Sequence, residues 1–468
     1  MSRIMIVKQK LHEDTRPTLY RGLKYWGKKP HNVWRRLIED NTQPKDVVYD
    51  PFAGSALTFF ESLKAGRVPV IADINPLTLF LVDVYSKSFD LQKIKVLADK
   101  ITTKIRQTGF YKKNYTCECP HCHKLVEIYN YRWHNGTPDE FSYKCPHCQK
   151  TYTIRNTIPY TQSSDSKKWK PSFDLRELSI VTPALINKIG GSNITDLWTD
   201  RNLALLCAIF DHIRKIKDEE KDALMFGFMQ ILHLTTKMCA LRGNGANRPL
   251  STSWGRPAFL GLSSFMEQNP VIQFERAIYG NAGVIQCLES RYKYLPPYTY
   301  STDIKDLHKV DGIVLLRDCK AIKTGFHANL VITDPPYGSI IQYGELSLVW
   351  NVWLNQYDPK YTMSLKQEII VNRKKSHEQY VNDMVKVWNN CQNLLEQDAN
   401  VIVTYNSNSK EDWQALQQIL RRTDLYVKEQ RIQKNKRSSE ANVSCKKGIG
   451  ITDYYFVLGT KNVDYKGF

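Results

Sequence analysis

Four short runs rich in β-branched residues each lead, within two residues, into an aspartate, and this feature narrows the possible folds most. Asp46–Tyr49 (DVVY) runs into Asp50 and Val68–Ala72 (VPVIA) into Asp73. Ile313–Leu316 (IVLL) is followed by Asp318, and Leu330–Thr333 (LVIT) by Asp334. Three further strand candidates, Asn400–Tyr405, Leu425–Ile432 and Asp453–Leu458, lie downstream. Helical patterning fills intervals such as His31–Asp40, Leu57–Ala65 and Tyr380–Glu396. Strands alternating with helices predict a parallel sheet covered on both faces. Ligands of such α/β sheets bind at the carboxyl ends of the strands, which is where the four aspartates fall.

The alternation stops between about Leu91 and Tyr300. This stretch holds a Cys/His cluster at 117–148, then a polar segment, Thr161–Lys170. Apolar helical patterns follow at Asp200–Ile216 and Lys221–Ala240, and then a loop rich in Gly, Asn and Arg from Leu241 to Arg256. A single hydrophobic core rarely exceeds about 250–300 residues, so an insertion into one α/β domain accounts for the 468 residues. The predicted division is a first part of the core at 1–110, a zinc ribbon at 111–160, a mostly helical region at 161–302, and a second part of the core at 303–468. No internal repeat is present.

Asp50-Pro51-Phe52-Ala53-Gly54-Ser55 follows the first predicted strand directly. A glycine at such a turn lets backbone approach a ligand closely, and the helix that opens near Ala56 aims its first amides into the same space. Asp73, at the end of the next strand, stands where an acid accepts hydrogen bonds from ribose hydroxyls in dinucleotide sites. Thr333-Asp334-Pro335-Pro336-Tyr337 ends a later strand. Its two prolines stiffen a turn carrying a carboxylate, a carbonyl and an aromatic face.

These segments resemble the amino-methyltransferases that act on DNA bases, whose first motif reads DPFxGSG after a Lys-Pro segment. Here Lys29-Pro30 precedes DPFAGS, with Ala56 where the family usually has its second glycine. YWGKKPHNVW, DINP at 73–76, LWTDRNLALL at 197–206 and GSIIQYGELSLVWNVWL at 338–354 are similar to the zinc-ribbon-containing adenine-specific DNA methylases. The motif order matches the alpha class, in which the insertion is the target-recognition region. The resemblance implies a Rossmann-like, seven-stranded methyltransferase sheet with an inserted ribbon and helical region. It implies that Lys29, Pro30, Asp50, Pro51, Phe52, Gly54 and Ser55 surround S-adenosylmethionine, that Asp73 binds its ribose, and that Asp318 lies near its adenine.

An exocyclic amine is a poor nucleophile because its lone pair is delocalised into the ring. The Asp334 carboxylate and the Pro335 carbonyl can take both N–H groups and favour a tetrahedral nitrogen, with Pro336 fixing the turn. Tyr337 offers a face for an extruded base. The expectation is direct methyl transfer to adenine N6 in duplex DNA, within a restriction, defence or epigenetic system that can include a partner protein. Three alternatives stand beside it: cytosine N4 methylation, N2-guanine methylation of RNA, and a zinc-ribbon DNA-binding protein with a dead methylase fold. Aspartate rather than serine at 334 favours adenine, and intact Asp50, Asp73, Asp334 and Tyr337 favour a live enzyme.

Cys119-Pro120-His121-Cys122 and Cys145-Pro146-His147-Cys148 form two near-identical knuckles. Four converging thiolates suit tetrahedral zinc and leave no open position for catalysis. Residues 123–144 between them slightly exceed the usual spacing of roughly 15–20. They can hold a hairpin with Tyr129–Trp133 as one strand. Cys117, His121, His123 and His147 are spare candidates, and the histidines are expected to be solvent-exposed. The net charge of +19 attracts polyanions. Arg242, Asn247, Arg248 and Arg256, and Lys434, Lys436, Arg437, Lys446 and Lys447, are candidate DNA contacts, the alternative for either patch being a solvated loop. The opening residues lack an apolar export core, and no apolar run reaches the ~18 residues a membrane span needs. A cytoplasmic protein without a membrane segment is expected.

Overall fold

The computed structural model describes residues 5–7, 13–155, 169–241, 250–251, 258–407, 409–434 and 452–460. A nine-stranded sheet organises the molecule. Its strands are β1 (Met5–Val7), β2 (Val47–Asp50), β3 (Val68–Asp73), β4 (Tyr300–Ser301), β5 (Gly312–Leu316), β6 (Ala328–Thr333), β7 (Leu395–Tyr405), β8 (Leu425–Lys434) and β9 (Thr452–Thr460). They lie in the order β1-β8-β9-β7-β6-β2-β3-β5-β4. The seven strands read from the sequence are all present, and two very short ones, β1 and β4, extend the edges.

All neighbours are parallel except β9, which runs antiparallel to both β7 and β8. Side chains alternate between two cores, as the pleat requires. Val48, Ile71, Leu330, Ile332 and Ile402 pack on one face, with Trp34, Phe59 and Phe60. Tyr49, Val70, Val331, Val401 and Val403 pack on the other, with Trp388 and Met384. Burial on both faces is why these strands read as continuous apolar runs. The helices that cover them include α1 (His31–Asn41), α2 (Leu57–Lys64), α3 (Pro76–Ser86), α4 (Tyr343–Tyr357), α5 (His377–Leu394) and α6 (Lys410–Arg421). Chain order reverses between β2 and β6, and a crevice opens at such a switch point.

The insertion builds a second sheet. Its strands follow the order 151–155, 137–144, 125–134, 264–268, 239–240 and 250–251, with 116–118 also pairing 125–134. The strand at 264–268 pairs antiparallel with 125–134 from Ser264↔His134 to Gln268↔Asn130, so the ribbon hairpin and the helical region share one sheet. The helix read as Lys221–Ala240 is shorter than its pattern and ends at Ile231. Beyond that point Thr235 Oγ1 donates to the Ile231 carbonyl at 3.0 Å, and Thr236 Oγ1 to that of His233 at 2.8 Å. A buried ion pair sits at this junction. Arg201, in the helix Asp200–Arg214, bonds through Nε to Glu267 Oε1 at 2.8 Å, and both side chains are only 1% exposed. Thr199 and Trp133 also donate to Glu267, and the guanidinium carbon sits 3.6 Å from the Tyr131 ring centre.

Candidate active site and metal centre

Asp50 closes β2 with its carboxylate buried. It accepts from the Phe52 amide at 3.0 Å, from Thr333 Oγ1 at 2.6 Å and from the Thr58 hydroxyl. Burial pushes its carboxyl up to about 7 against the pull of these bonds. Asp50 therefore braces the turn after β2 to α2 and to the end of β6.

The turn itself leans on the next strand. The Gly54 amide donates to Asp73 Oδ2 at 2.6 Å, and the Asn75 amide to Oδ1 at 2.8 Å. Burial lifts the Asp73 carboxyl to about 6. Each carboxylate oxygen keeps a second lone pair, so half-buried Asp73 retains capacity for hydroxyl donors. Gly54 has φ +50, and a Cβ there would lie 2.9 Å from the Tyr25 ring. Gly54→Ala is expected to cost about 1–2 kcal/mol from the left-handed backbone alone, read as a lower midpoint in chemical denaturation. Ala56 is also left-handed, at φ +57, so it keeps the backbone of the glycine that the DPFxGSG pattern carries.

A cavity of about 930 Å³, counted out to its open mouth, lies over these residues. Lys29, Asp50, Pro51, Phe52, Gly54, Ser55, Asp73 and Asp318 all line it, together with Asp334 and Pro336. Pro30, Pro335 and Tyr337 do not; Pro30 instead caps α1. Asp318 accepts from the Lys320 amide at 2.9 Å. Several lining residues escaped the sequence reading. Tyr25 and Tyr343 stack with ring centres 5.6 Å apart, and Trp26 packs against Tyr343. Arg317 and Glu368 complete the rim. Tyr25 and Trp26 lie in the YWGKKP segment, whereas nothing local marks Glu368. Its carboxylate accepts from the Gly344 amide at 2.8 Å, and burial pushes it up to about 7.

Lys29 points at the catalytic-looking turn. Its Nζ lies 3.2 Å from Asp334 Oδ1, 3.2 Å from Tyr337 Oη and 3.5 Å from Asp453 Oδ1. Burial would discharge this ammonium, but the two carboxylates outweigh it and hold Lys29 protonated. Asp334 also accepts from the hydroxyls of Thr404 and Tyr337. Burial raises the Asp334 carboxyl, while Lys29 and these hydroxyls pull it back. The Tyr337 ring packs edge-on against Tyr405, with centres 4.9 Å apart. The Pro336 carbonyl accepts from Tyr380 Oη at 2.7 Å, which fixes the turn. Among the described residues no donor reaches the carbonyl of Pro335.

The Sγ atoms of Cys119, Cys122, Cys145 and Cys148 all lie within 4.8 Å of one another, and those of Cys122 and Cys145 are 3.6 Å apart. Tetrahedral zinc with ~2.3 Å bonds holds its sulfurs roughly 3.8 Å apart, so the four residues fit the ion. The knuckles match each other: the Cys119 amide donates to the Lys124 carbonyl, and the Cys145 amide to that of Lys150. His123 and Gln149 occupy equivalent left-handed positions. His123 is engaged with Glu118 at 2.7 Å. Cys117, His121 and His147 do not join the cluster either. Purified protein is expected to carry one equivalent of zinc by elemental mass spectrometry. A Cys119→Ser/Cys145→Ser double variant should lose it.

Arg242, Asn247, Arg248, Arg256, Lys436, Arg437, Lys446 and Lys447 lie outside the described residues, as does the Lys434 side chain. Among the described residues no helix is long and apolar enough to cross a membrane. No curated protein matches the chain. Residues 4–79 match the model of a family described as DNA methylase, which supports a relationship to methyltransferases acting on N6 or N4 amino groups of DNA. Over the segment that carries Lys29, Asp50, Gly54 and Asp73, this chain is similar to DNA methylases.

Proposed function

We propose that the protein is an S-adenosylmethionine-dependent DNA methyltransferase acting on the exocyclic N6 amine of adenine in duplex DNA. One observation carries the reading: Asp334 and Pro336 line the same cavity as the Gly54 turn, Asp73 and Asp318. A methyl donor and an amine acceptor can thus meet in one space. Residues Asp50–Ser55 with Asp73 and Asp318 hold the donor, which supplies an electrophilic methyl group on a sulfonium. Asp334 takes an N–H group of an amine extruded from the duplex, and so helps to localise its lone pair. The new C–N bond forms as the C–S bond breaks, the electron pair leaves with sulfur, and the nitrogen then sheds a proton. The four-cysteine site holds a structural zinc that shapes the ribbon and takes no part in transfer.

The test is mass spectrometry of nucleosides digested from DNA incubated with the protein and S-adenosylmethionine. N6-methyladenosine in its deoxy form is the expected product. N4-methylcytosine would keep the mechanism and change the base. Methylation confined to guanosine in an RNA substrate would overturn the choice of nucleic acid. Donor binding in calorimetry without any methylated nucleoside would point to a fold that has lost its chemistry.

A further inference from the structure

Asp453 belongs to none of the motifs, yet it reaches the same rim as Asp334. It does so because β9 is the one antiparallel strand of the main sheet, so its first residues arrive where its parallel neighbours end. The side chain is 6% exposed, accepts from Asn406 Nδ2 at 2.9 Å and faces Lys29 Nζ at 3.5 Å. Lys29 in turn lies 3.2 Å from Asp334 Oδ1. The group of three, with Lys29 and Asp453 buried and Asp334 partly exposed, carries two carboxylates and one ammonium.

We propose that Asp453 is a positioning residue for methyl transfer, sharing the charge of Lys29 so that Asp334 keeps its own negative charge for the substrate amine. The inference rests on the methyltransferase reading. A carboxylate fully paired with an ammonium is a weak acceptor for a neutral N–H. An isolated ammonium beside a nitrogen that gains positive charge as its C–N bond forms would also oppose transfer. With Asp453 present, the three charges sum to minus one and favour that developing cation. With Lys29 alone beside Asp334, the site is neutral. With both carboxylates and no Lys29, two like charges crowd a buried space and one of them takes a proton.

This scheme makes the effect of Asp453 depend in sign on Lys29. Asp453→Asn in the otherwise native chain is expected to slow kcat about tenfold, with the KM for S-adenosylmethionine and its calorimetric affinity unchanged. In a Lys29→Met background, already slow, the same substitution should raise kcat, because it removes the competing carboxylate. Loss of rate in both backgrounds would assign Asp453 a purely structural role and overturn the inference. So would an unchanged rate in the single variant, or weakened donor binding. Native protein that yields no methylated nucleoside defeats the underlying reading instead, and that failure shows before any residue is changed.

Discussion

Replacement of Asp334 by alanine is expected to reduce methyl transfer by roughly 10²–10³-fold, the usual penalty for deleting one preorganised polar partner of a reacting group. The carboxylate lines the cavity, and the turn that carries it is held from three sides. Tyr380 fixes the Pro336 carbonyl, Thr404 donates to the carboxylate, and Lys29 supplies the countercharge. Removing the side chain leaves the Tyr380 bond to the Pro336 carbonyl, and Asp453 still faces Lys29, so the loss should appear in kcat more than in folding. Affinity for S-adenosylmethionine should change little, because the turn at Gly54 and the acids Asp73 and Asp318 remain. Single-turnover methylation and calorimetry on the same preparation check both halves. A variant that methylates at the native rate would remove Asp334 from the chemistry.

The largest expected effect on stability lies far from the cavity. Glu267→Gln should destabilise the protein by roughly 3–5 kcal/mol, the range found when one partner of a buried ion pair is removed. The cost falls on the partner: the Arg201 guanidinium, 1% exposed, loses the carboxylate that its Nε and one terminal nitrogen bond. Stacking on Tyr131 cannot replace that charge. An Arg201→Met/Glu267→Met double variant should lose much less than the single one, since it buries no orphaned charge. Chemical denaturation of the three proteins decides the point. Equal losses in single and double variants would mean that shape, not charge, holds this junction.

The strands that build the site were legible because parallel strands buried on both faces need unbroken apolar runs, and VPVIA and LVIT are such runs. The cysteine knuckles were legible for a different reason, since their ligands are paired within three residues. What escaped depends on partners distant in sequence. The strand at 264–268 reads Ser-Phe-Met-Glu-Gln, and its buried Glu267 makes sense only beside Arg201. The helix at Glu220–Ile231 was over-extended because apolar periodicity outlasts the point where Thr235 and Thr236 turn on the backbone. Lys29 was assigned to the donor from its place before the first motif. Lys29 lines the cavity, and what the sequence did not show is that its ammonium also meets Asp334 and Asp453, an arrangement that the sheet topology creates.

The placement of β9 between β7 and β8 also bears on how the molecule is made. It is the last strand of the sheet to leave the ribosome, yet it occupies an interior slot. Until residues 452–460 emerge, β7 and β8 each present an unpaired edge, and such edges are templates for wrong pairing. Long-range pairing of this kind is slow. Asp453 arrives with the strand that fills it, so the electrostatics of the Asp334 turn are complete only once the sheet is closed. Nascent chains released before this strand would therefore be both inactive and prone to aggregate.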